Sequence, residues 1–356
     1  MEDIHYHNMV MSVYQGGLLI LATLLKALRL PLLVPKSSIA GQIMQSYTQA
    51  DMVISAPGGP YFGDLYRGHE PVHWLFILIG KLYKKPIYLY APSAGPFRSR
   101  IHNFFRRYIY KSFRLVICRE TQSAGYIEKL VPSIKAIVTA DSALQEKVTA
   151  EPDPILAEQL AASGQDIKTI SISVLQYARL DKQQREKYEH AVLDAINYLD
   201  RKGEYQFVFL PQLYGGFHSD VEYMNSLVSR LPKTVKARVM DSEFDSDTHR
   251  MIVANSELVI ASRYHPQIFS ASARIPFIAI CYQHKSSAFM NDIGMNEFAI
   301  DIFKVDSEKV INLVERSTRE REVIIRMLEK GMHEKESLAM QTTKRVVKDF
   351  EDTLCI

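Results

Sequence analysis

The chain has 356 residues, more than one hydrophobic core usually serves, so two domains are expected. Its 47% hydrophobic and 23% charged residues are typical of a globular protein, and a net charge of +3 is too small to indicate a nucleic-acid partner. The three cysteines, Cys118, Cys281 and Cys355, show neither metal-ligand spacing nor a framework of pairs. That pattern fits a reducing, cytoplasmic setting without a bound metal.

An apolar segment near the N-terminus, GGLLILATLLKALRLPLLVP, contains Lys26 and Arg29 and is interrupted before it reaches the roughly 20 residues that a membrane span needs. The residues before it lack the basic region of a signal peptide, and no small-residue cleavage site follows. Residues 14–28 are therefore predicted to form a buried amphipathic helix in a protein that is neither exported nor membrane-spanning.

Short apolar segments alternate with helical patterns along the rest of the chain, which predicts parallel sheets with crossover helices. In the first half, strands are predicted at 51–56, 86–91, 115–119 and 136–140, with helices at about 70–83, 99–112 and 121–130. In the second half, strands are predicted at 169–174, 207–212, 236–240, 258–262 and 277–281, with helices at about 182–202, 219–230, 246–255 and 266–274.

The predicted fold class is therefore α/β, with two doubly wound Rossmann-like domains facing a central cleft. Residues 1–150 are assigned to the N-terminal domain, 151–320 to the C-terminal domain and 321–356 to a charged helical tail, with a hinge at 141–154. Ligands of open α/β sheets bind at the carboxyl ends of the strands, so the residues just after each strand are the informative ones.

The segment SAPGGPYFGD, residues 55–64, follows the first of these strands and combines Gly58 and Gly59 with Asp64. Glycines let a ligand approach the backbone closely, but the spacing is neither a dinucleotide fingerprint nor a Walker loop. A tight turn and a ligand site are equally consistent with this segment. The loop APSAGPF at 91–97 taken alone indicates only a turn.

Two strands end in an arginine. Arg119 fits either a ligand contact or a structural pair with Glu120. In SRYHPQIF, residues 262–269, Arg263 and His265 follow a buried apolar strand, and Pro266 predicts that a helix begins there. The segment therefore places a permanent cation and a titratable imidazole where a strand becomes a helix.

Arg263, His265 and Lys285 are expected to converge at one edge of the second sheet, because each follows one of two neighbouring strands. A lone histidine is more often a helix cap or a buried structural residue, but the two accompanying cations favour a site. Guanidinium and ammonium groups suit carboxylate and phosphate, and a helix N-terminus adds positive charge. The pattern predicts a pocket for a small ligand with two anionic groups, with His265 placed to move a proton.

Taken together, these segments resemble the polysaccharide pyruvyl transferase family. The resemblance extends from about residue 45 to about residue 300 and includes ADMVISAPGGPYFGD, SAGPF, VICRETQSAGYI, VTADSAL, FLPQ and ANSELVIASRYHPQIFSASARIPFIAICYQHK. It implies a GT-B-like fold and transfer of the pyruvyl group of phosphoenolpyruvate to a sugar of a cell-surface polysaccharide or of its lipid-linked precursor. A pyruvate ketal would form and phosphate would leave, with no cofactor and no metal beyond this donor.

The resemblance also implies roles for individual residues. The family's Arg-x-His pair falls on Arg263 and His265, its following lysine on Lys285, its first-domain arginine on Arg119, and its glycine-rich turn on Gly58, Gly59 and Asp64. We expect His265 to protonate the methylene carbon of phosphoenolpyruvate, and Arg263 and Lys285 to bind its anionic groups. Asp64 is expected to orient or deprotonate the acceptor, with the N-terminal domain as the acceptor side and the C-terminal domain as the donor side.

Two alternatives stay open. One is a nucleotide-sugar-dependent glycosyltransferase of the same fold, which nucleotides, and not phosphoenolpyruvate, would protect against unfolding. A non-catalytic relative in polysaccharide assembly is favoured by one departure, since YHNMVMSVYQGG offers Asn8 and Gly16-Gly17 without the family's usual first strand and Asn-x-Gly-Asp turn. The retained cluster at Arg263 favours an enzyme.

The segment FRSRIHNFFRRYIYKSFR, residues 97–114, interleaves basic and aromatic side chains. A helix of this kind either rests on an anionic membrane or, more commonly, covers a sheet with a solvated basic face. Because a lipid-linked acceptor lies at a membrane, peripheral contact with the inner face of the membrane through this segment is a hypothesis for the otherwise cytoplasmic protein.

Overall fold

The computed structural model describes residues 2–31, 33–56, 62–64, 67–145, 167–215, 219–241 and 244–354, with side chains from residue 14 onward. The chain divides into two compact units: unit 1 comprises Met1–Ser142 and Leu338–Ile356, and unit 2 comprises Ala143–Ser337. The boundary therefore falls after residue 142, where the sequence suggested residue 150. The segment expected to form a separate tail is shared between the two units.

Unit 1 is built on a parallel sheet covered by helices. Its strands are β1 (Val53–Ser55), β2 (Ile87–Tyr90), β3 (Leu115–Cys118) and β4 (Ile137–Val138). Its helices before the boundary are α1 (Glu2–Ala27), α2 (Ile39–Gln49), α3 (Glu70–Leu82), α4 (Arg100–Tyr110) and α5 (Thr121–Leu130). Within the described residues the strands lie in the order β1-β2-β3-β4. The central strands β2 and β3 are mostly buried runs of apolar residues, as parallel strands covered on both faces require.

Unit 2 repeats the parallel arrangement with a wider sheet. Its strands are β5 (Lys168–Ser173), β6 (Tyr205–Phe209), β7 (Ala237–Val239), β8 (Leu258–Ala261), β9 (Phe277–Cys281) and β10 (Ala299–Asp301). Its helices are α6 (Lys182–Asp200), α7 (Asp220–Val228), α8 (Ser246–Ala254), α9 (Tyr264–Ala273), α10 (His284–Asp292) and α11 (Ser307–Arg319), followed by α12 (Arg321–Leu354), which continues into unit 1. Within the described residues the strand order is β10-β9-β8-β5-β6-β7.

Side-chain caps fix where several helices of unit 2 begin. The Asp181 side chain accepts from the Gln184 backbone N–H at 2.8 Å, and the Gln184 side chain accepts from the Asp181 backbone N–H at 3.1 Å. Asp245 caps α8 by accepting from the Thr248 backbone N–H at 2.8 Å. Each bond satisfies a backbone donor that the first helical turn leaves without a partner.

Strand register brings the site residues of unit 2 to one edge of its sheet. Ser173 of β5 is level with Ala261 of β8, which is level with Ala279 of β9. Parallel strands end at the same edge, so the residues that follow β8 and β9 emerge beside those that follow β5 and β6. A cluster of apolar side chains that includes Ile172 and Ile260 holds these strands beneath the edge.

The C-terminal part of α12 completes unit 1. Val346 is buried against Tyr88 and Ile117 of the sheet. Tyr88 donates its hydroxyl to Asp349 at 2.8 Å, and Arg114 Nε donates to the same carboxylate at 2.7 Å. This packing explains why residues 338–356 group with unit 1 and do not form a tail.

Several elements differ from the sequence-based expectation. The structure contains α2, α10 and β10, which were not predicted. α1 begins at Glu2, earlier than the predicted start at residue 14. It buries Leu19 and Ala22 and leaves Ile20 and Leu24 exposed, so it is buried along one face, as predicted for an amphipathic helix. Among the described residues, no helix is both long enough and apolar enough to cross a bilayer.

Candidate functional site

The candidate site of unit 2 is built around an ion pair between Arg263 and Asp220. Arg263 is the residue before α9, which begins at Tyr264 and not at Pro266 as predicted. Its Nε and Nη2 donate to Oδ2 and Oδ1 of Asp220 at 3.0 and 2.5 Å. Asp220, buried at the start of α7, also accepts from the Gln212 backbone N–H at 3.0 Å. The carboxylate thus ties the connection after β6 to the one after β8.

This pairing governs what Arg263 can bind. Burial alone would lower the pKa of Arg263, but the hydrogen bonds and charge of Asp220 outweigh burial and raise that pKa. A hydrogen bond with Tyr282, which follows β9, contributes to the same rise. The guanidinium is therefore a permanent cation in a fixed orientation, and two of its three nitrogens lie on Asp220.

Tyr282 also lines a pocket of about 460 Å³ beside the carboxyl ends of β9 and β10. The wall of the pocket includes His284, Asp301 and Phe303, so it offers both polar groups and an aromatic face. A pocket of this volume falls within the usual range of ligand sites. Because Tyr282 contacts Arg263 as well, the pocket adjoins the ion pair.

His265 lies exposed in the first turn of α9. Its imidazole stacks on Phe269, with ring centroids 6.1 Å apart and an interplanar angle of 28°. The ring of Tyr264 is 6.1 Å from the His265 ring, and the Nζ of Lys285 lies 5.1 Å from the centroid of Tyr264. Tyr264 therefore contacts both His265 and Lys285, which brings these two predicted site residues into one neighbourhood.

A second histidine, His249 of α8, belongs to the same edge. It is buried, with Nδ1 3.2 Å from Gln212 Nε2 and Nε2 3.2 Å from the Tyr214 hydroxyl. Burial lowers the pKa of His249; the charge of Asp245 opposes this effect, and the nearby charge of His265 adds to it. Sequence reasoning missed His249 because a histidine on an amphipathic helix carries no local sign of which face it occupies.

Asp64, the predicted second catalytic residue, is surrounded by donors in unit 1. Its Oδ2 accepts from the backbone N–H groups of Arg98 and Ser99 at 2.7 and 3.2 Å and lies 3.1 Å from Arg67 Nη2. Burial would raise the pKa of Asp64, but the hydrogen bonds from Arg67, Arg98 and Arg106 outweigh it and lower that pKa. A carboxylate with a lowered pKa is a weak base, so its surroundings favour orientation over proton removal.

Arg106, fully buried in α4, joins Asp64 to a second carboxylate. Its Nη1 donates to Asp64 at 3.0 Å, and its Nε and Nη2 donate to Glu70 at 2.9 and 2.7 Å. Burial raises the pKa of Glu70, although Arg106 opposes the rise. Arg106 is thus one of the basic residues of the segment 97–114 that does not reach solvent, because this position of α4 faces the interior together with Ile109.

Arg119 forms a separate buried network at the carboxyl ends of the unit 1 strands. Its Nε donates to Ser93 at 2.7 Å, and its Nη1 donates to Asp141 at 2.5 Å. Glu120 lies 3.3 Å from the same Nε and accepts from the hydroxyl of Ser123. Two carboxylates surround this guanidinium, which favours the structural alternative that the sequence left open.

The glycine-rich turn is described only in part, since Gly58 and Gly59 lie outside the described residues. The part that follows packs on the second predicted loop, where the Gly95 backbone N–H donates to the Phe62 carbonyl at 2.7 Å. Gly95 has a φ of +86°, and a Cβ there would lie 2.3 Å from the ring of Tyr126. Both loops are therefore fixed by close backbone approach.

The structure thus brings Arg263, His265 and Lys285 to one edge of unit 2 and places Asp64 and Arg119 in two separate networks of unit 1. Across the part of the chain that is described, no group of three or more His, Cys, Asp or Glu side chains is arranged to hold a metal ion. The chemistry available at the unit 2 edge is that of two cations, Arg263 held by its ion pair and Lys285 beside Tyr264, close to imidazoles.

Solved structures with the same architecture define the fold class. The chain is similar to a UDP-GlcNAc 2-epimerase from Neisseria meningitidis bound to UDP-GlcNAc, with a TM-score of 0.55 at 12% identity over 88% of this chain and 83% of that one. It is also similar to a UDP-N-acetylglucosamine 2-epimerase with a TM-score of 0.59 at 9% identity, covering 90% and 80% of the two chains. Identities this low show the fold alone, which is α/β and GT-B-like, with Rossmann-like domains.

Sequence relationships are more specific. The pattern that defines the polysaccharide pyruvyl transferase family matches residues 13–284. The amylovoran biosynthesis protein AmsJ of Erwinia amylovora is 29% identical over 331 residues, which cover 88% of this chain and 78% of AmsJ. The chain belongs to the polysaccharide pyruvyl transferase family, as its motifs had suggested.

Proposed function

We propose that this protein transfers the pyruvyl group of phosphoenolpyruvate to a sugar of a surface polysaccharide or of its lipid-linked precursor. The observation that carries the proposal is the grouping of Arg263, His265 and Lys285 at the carboxyl edge of the unit 2 sheet, in a chain of this family. Phosphoenolpyruvate carries a carboxylate and a phosphate on one small enol, which matches a site with two cations. The name of AmsJ supports a polysaccharide as the final product.

The two anionic groups of the donor bind to Lys285 and to the guanidinium nitrogen of Arg263 that is not bonded to Asp220. The paired carboxylate keeps the guanidinium plane fixed, so little ordering remains to be done when the donor binds. The pocket beside Tyr282 gives room for the part of a substrate that extends beyond the enol.

His265 moves the protons. It donates one to the methylene carbon of the donor, which becomes a methyl group and leaves the neighbouring carbon electrophilic. A sugar hydroxyl adds to that carbon and returns its proton to His265. A second hydroxyl then adds as the bond to phosphate breaks, and its proton leaves with the phosphate. Two hydroxyls and one donor thus give one ketal and one phosphate. In this scheme Asp64 orients the acceptor and does not deprotonate it.

The proposal is tested by thermal unfolding with phosphoenolpyruvate. A ligand that binds only the folded state raises the midpoint, by the equivalent of about 2.7 kcal/mol at 100 times its Kd. Lys285→Gln should lose most of this shift, whereas Lys182→Gln, at an exposed position of α6, should keep it. His265→Gln should keep most of the shift but lose phosphate release in the presence of acceptor sugars.

Two outcomes would overturn the proposal. A midpoint shift with UDP-GlcNAc but none with phosphoenolpyruvate would favour the nucleotide-sugar alternative. UDP-GlcNAc is the ligand to compare because one of the similar structures is an epimerase bound to it. No shift with either ligand, together with no phosphate release, would favour a non-catalytic relative.

A further inference from the structure

A stripe of large apolar side chains lies exposed along α4. Ile101, Phe104, Phe105 and Tyr108 are 75%, 72%, 49% and 52% exposed. Their spacing, i, i+3, i+4 and i+7, places them on one face of the helix, opposite the buried face that carries Arg106. Single exposed apolar residues are ordinary, but a contiguous stripe of this kind marks an interaction surface.

Cations border this stripe on both sides. Arg100 and Arg107 of α4 and Lys111, the residue just after it, are spaced at i, i+7 and i+11, and all three are exposed. From the neighbouring α3, Lys81 places its Nζ 3.9 Å from the centroid of the Tyr108 ring. Arg107 also donates to the Leu130 carbonyl at 3.2 Å, which holds its stem along the helix. No acidic residue occurs in α4.

A second apolar stripe belongs to the same layer of helices. Ile20 and Leu24 of α1 are 52% and 55% exposed, and Leu28, just after the helix, continues the four-residue spacing and is 68% exposed. Both α1 and α4 pack against α3. The exposed apolar area of unit 1 is therefore spread over two helices joined by a third.

We propose that the α4 stripe docks unit 1 on an anionic lipid surface, with its apolar side chains among the acyl chains and its flanking cations at the headgroups. Aromatic and aliphatic groups bordered by Lys and Arg are the pattern of helices that lie in a membrane interface. Each cation near an anionic surface adds attraction, which depends on salt. This surface is separate from the unit 2 site, and the proposal does not rest on the reaction.

Charge decides against a second copy of the chain as the occupant. A two-fold interface would bring the same patch of two molecules together, and the Arg100 and Lys111 side chains of one copy would face those of the other. With no acidic residue on α4 to accept them, like charges would meet across the interface. An anionic bilayer has the complementary charge.

The test is sedimentation of the full-length protein with vesicles of phosphatidylcholine and phosphatidylglycerol in equal parts, beside vesicles of phosphatidylcholine alone. The wild type should bind the anionic vesicles and lose binding at high salt. Ile101→Ser with Phe104→Ser should weaken binding by at least about tenfold, because two exposed apolar groups can no longer enter the interface. Both side chains are exposed, so folding should be unaffected, and circular dichroism checks this.

Matched controls remove exposed apolar side chains and exposed cations from other helices. Val323→Ser with Met340→Ser replaces two exposed apolar residues of α12 and should leave binding unchanged. Arg100→Gln with Lys111→Gln should weaken binding by about tenfold or more, whereas Lys182→Gln with Lys187→Gln, on α6, should not.

Three results would overturn the proposal. The first is no binding of the wild type to anionic vesicles, and the second is binding that the Ile101 and Phe104 changes leave intact. The third is a wild-type dimer in solution that those two changes dissociate, which would assign the stripe to a second copy.

Discussion

Arg263 and Asp220 meet through two guanidinium nitrogens and both carboxylate oxygens, at 3.0 and 2.5 Å. The carboxylate is 1% exposed and also accepts from the backbone N–H of Leu213 at 3.1 Å. The pair therefore joins the connection after β6 to the connection after β8 and also sets the orientation of the cation assigned to the donor.

Removing the charge of Asp220 should destabilise unit 2. We expect Asp220→Asn to lower the free energy of unfolding by about 3 kcal/mol, since a largely buried guanidinium loses its partner. Urea denaturation measures this. The control is Lys309→Gln, which breaks an exposed pair with Asp306 and should lower the free energy by less than about 1 kcal/mol. Equal losses of unfolding free energy in the two variants would show that the buried pair stabilises the protein no more than the exposed pair does.

The coupling between the two histidines of unit 2 should appear in their titration. Burial holds the pKa of His249 below its usual range, and the charge of His265 lowers that pKa further, so His265→Ala should raise the pKa of His249. NMR titration of the imidazole resonances measures the change. His190→Ala, an exposed position of α6, should leave it unaltered. A His249 pKa that does not move when His265 is removed would contradict the proximity of the two rings.

The same pKa predicts how stability depends on pH. The folded state binds a proton at His249 more weakly than the unfolded state does, because burial, the largest effect, lowers the pKa of this residue. The stability that neutral His249 contributes is present above pH 6.5 and is lost as the pH falls through the folded pKa. His249→Gln should therefore reduce the decline of the unfolding free energy between neutral and mildly acidic pH, as urea denaturation at several pH values would show.

Adjacent arginines of α4 should differ sharply in their effect on stability. Arg106→Gln leaves Glu70 and Asp64 without the cation between them, and we expect the free energy of unfolding to fall by about 3–5 kcal/mol. Arg107→Gln changes the next residue, which is exposed, and should lower it by less than about 1 kcal/mol. Denaturation of both variants under one set of conditions gives the comparison, and similar losses would refute the structural role of Arg106.

Gly95 offers a test of the packing between the two loops of unit 1. Gly95→Ala places a Cβ 2.3 Å from the ring of Tyr126 at a φ of +86°, so we expect a loss of about 3 kcal/mol or more. Gly203 has a φ of +74°, and a Cβ added there would meet no atom within 4 Å, so Gly203→Ala should lower stability by about 1 kcal/mol from backbone strain alone. The difference in unfolding midpoint between the variants isolates the contact with Tyr126.

The parallel sheets were predictable from sequence because their signal is local. A run such as ELVIA carries its own apolar pattern, and Pro266 marks the nearby helix start. The start was misplaced because the Ser262 and Arg263 backbone N–H groups both bond to the carbonyl of Ser173, a residue of another strand. β10 was missed because three residues, AID, are too short to show a period.

The partners of the site residues were not predictable, because they are distant in sequence. Nothing near Arg263 points to Asp220, and the pairing depends on how α7 follows β6. The burial of Arg106 could have been found, since it stands at i, i+3 and i+4 with Ile109 and Tyr110 on the face that meets the sheet. The basic and aromatic composition of α4 describes the helix as a whole and does not indicate which of its cations faces inward.

The path of α12 sets the order in which the chain can finish folding during synthesis. Unit 2 has all its residues once Ser337 is made, although it comes second along the chain. Unit 1 must wait for Val346 and its neighbours, and until they arrive Tyr88 and Ile117 lack part of their apolar cover. The N-terminal unit is thus the last to close, the reverse of the usual order in which domains form on the ribosome.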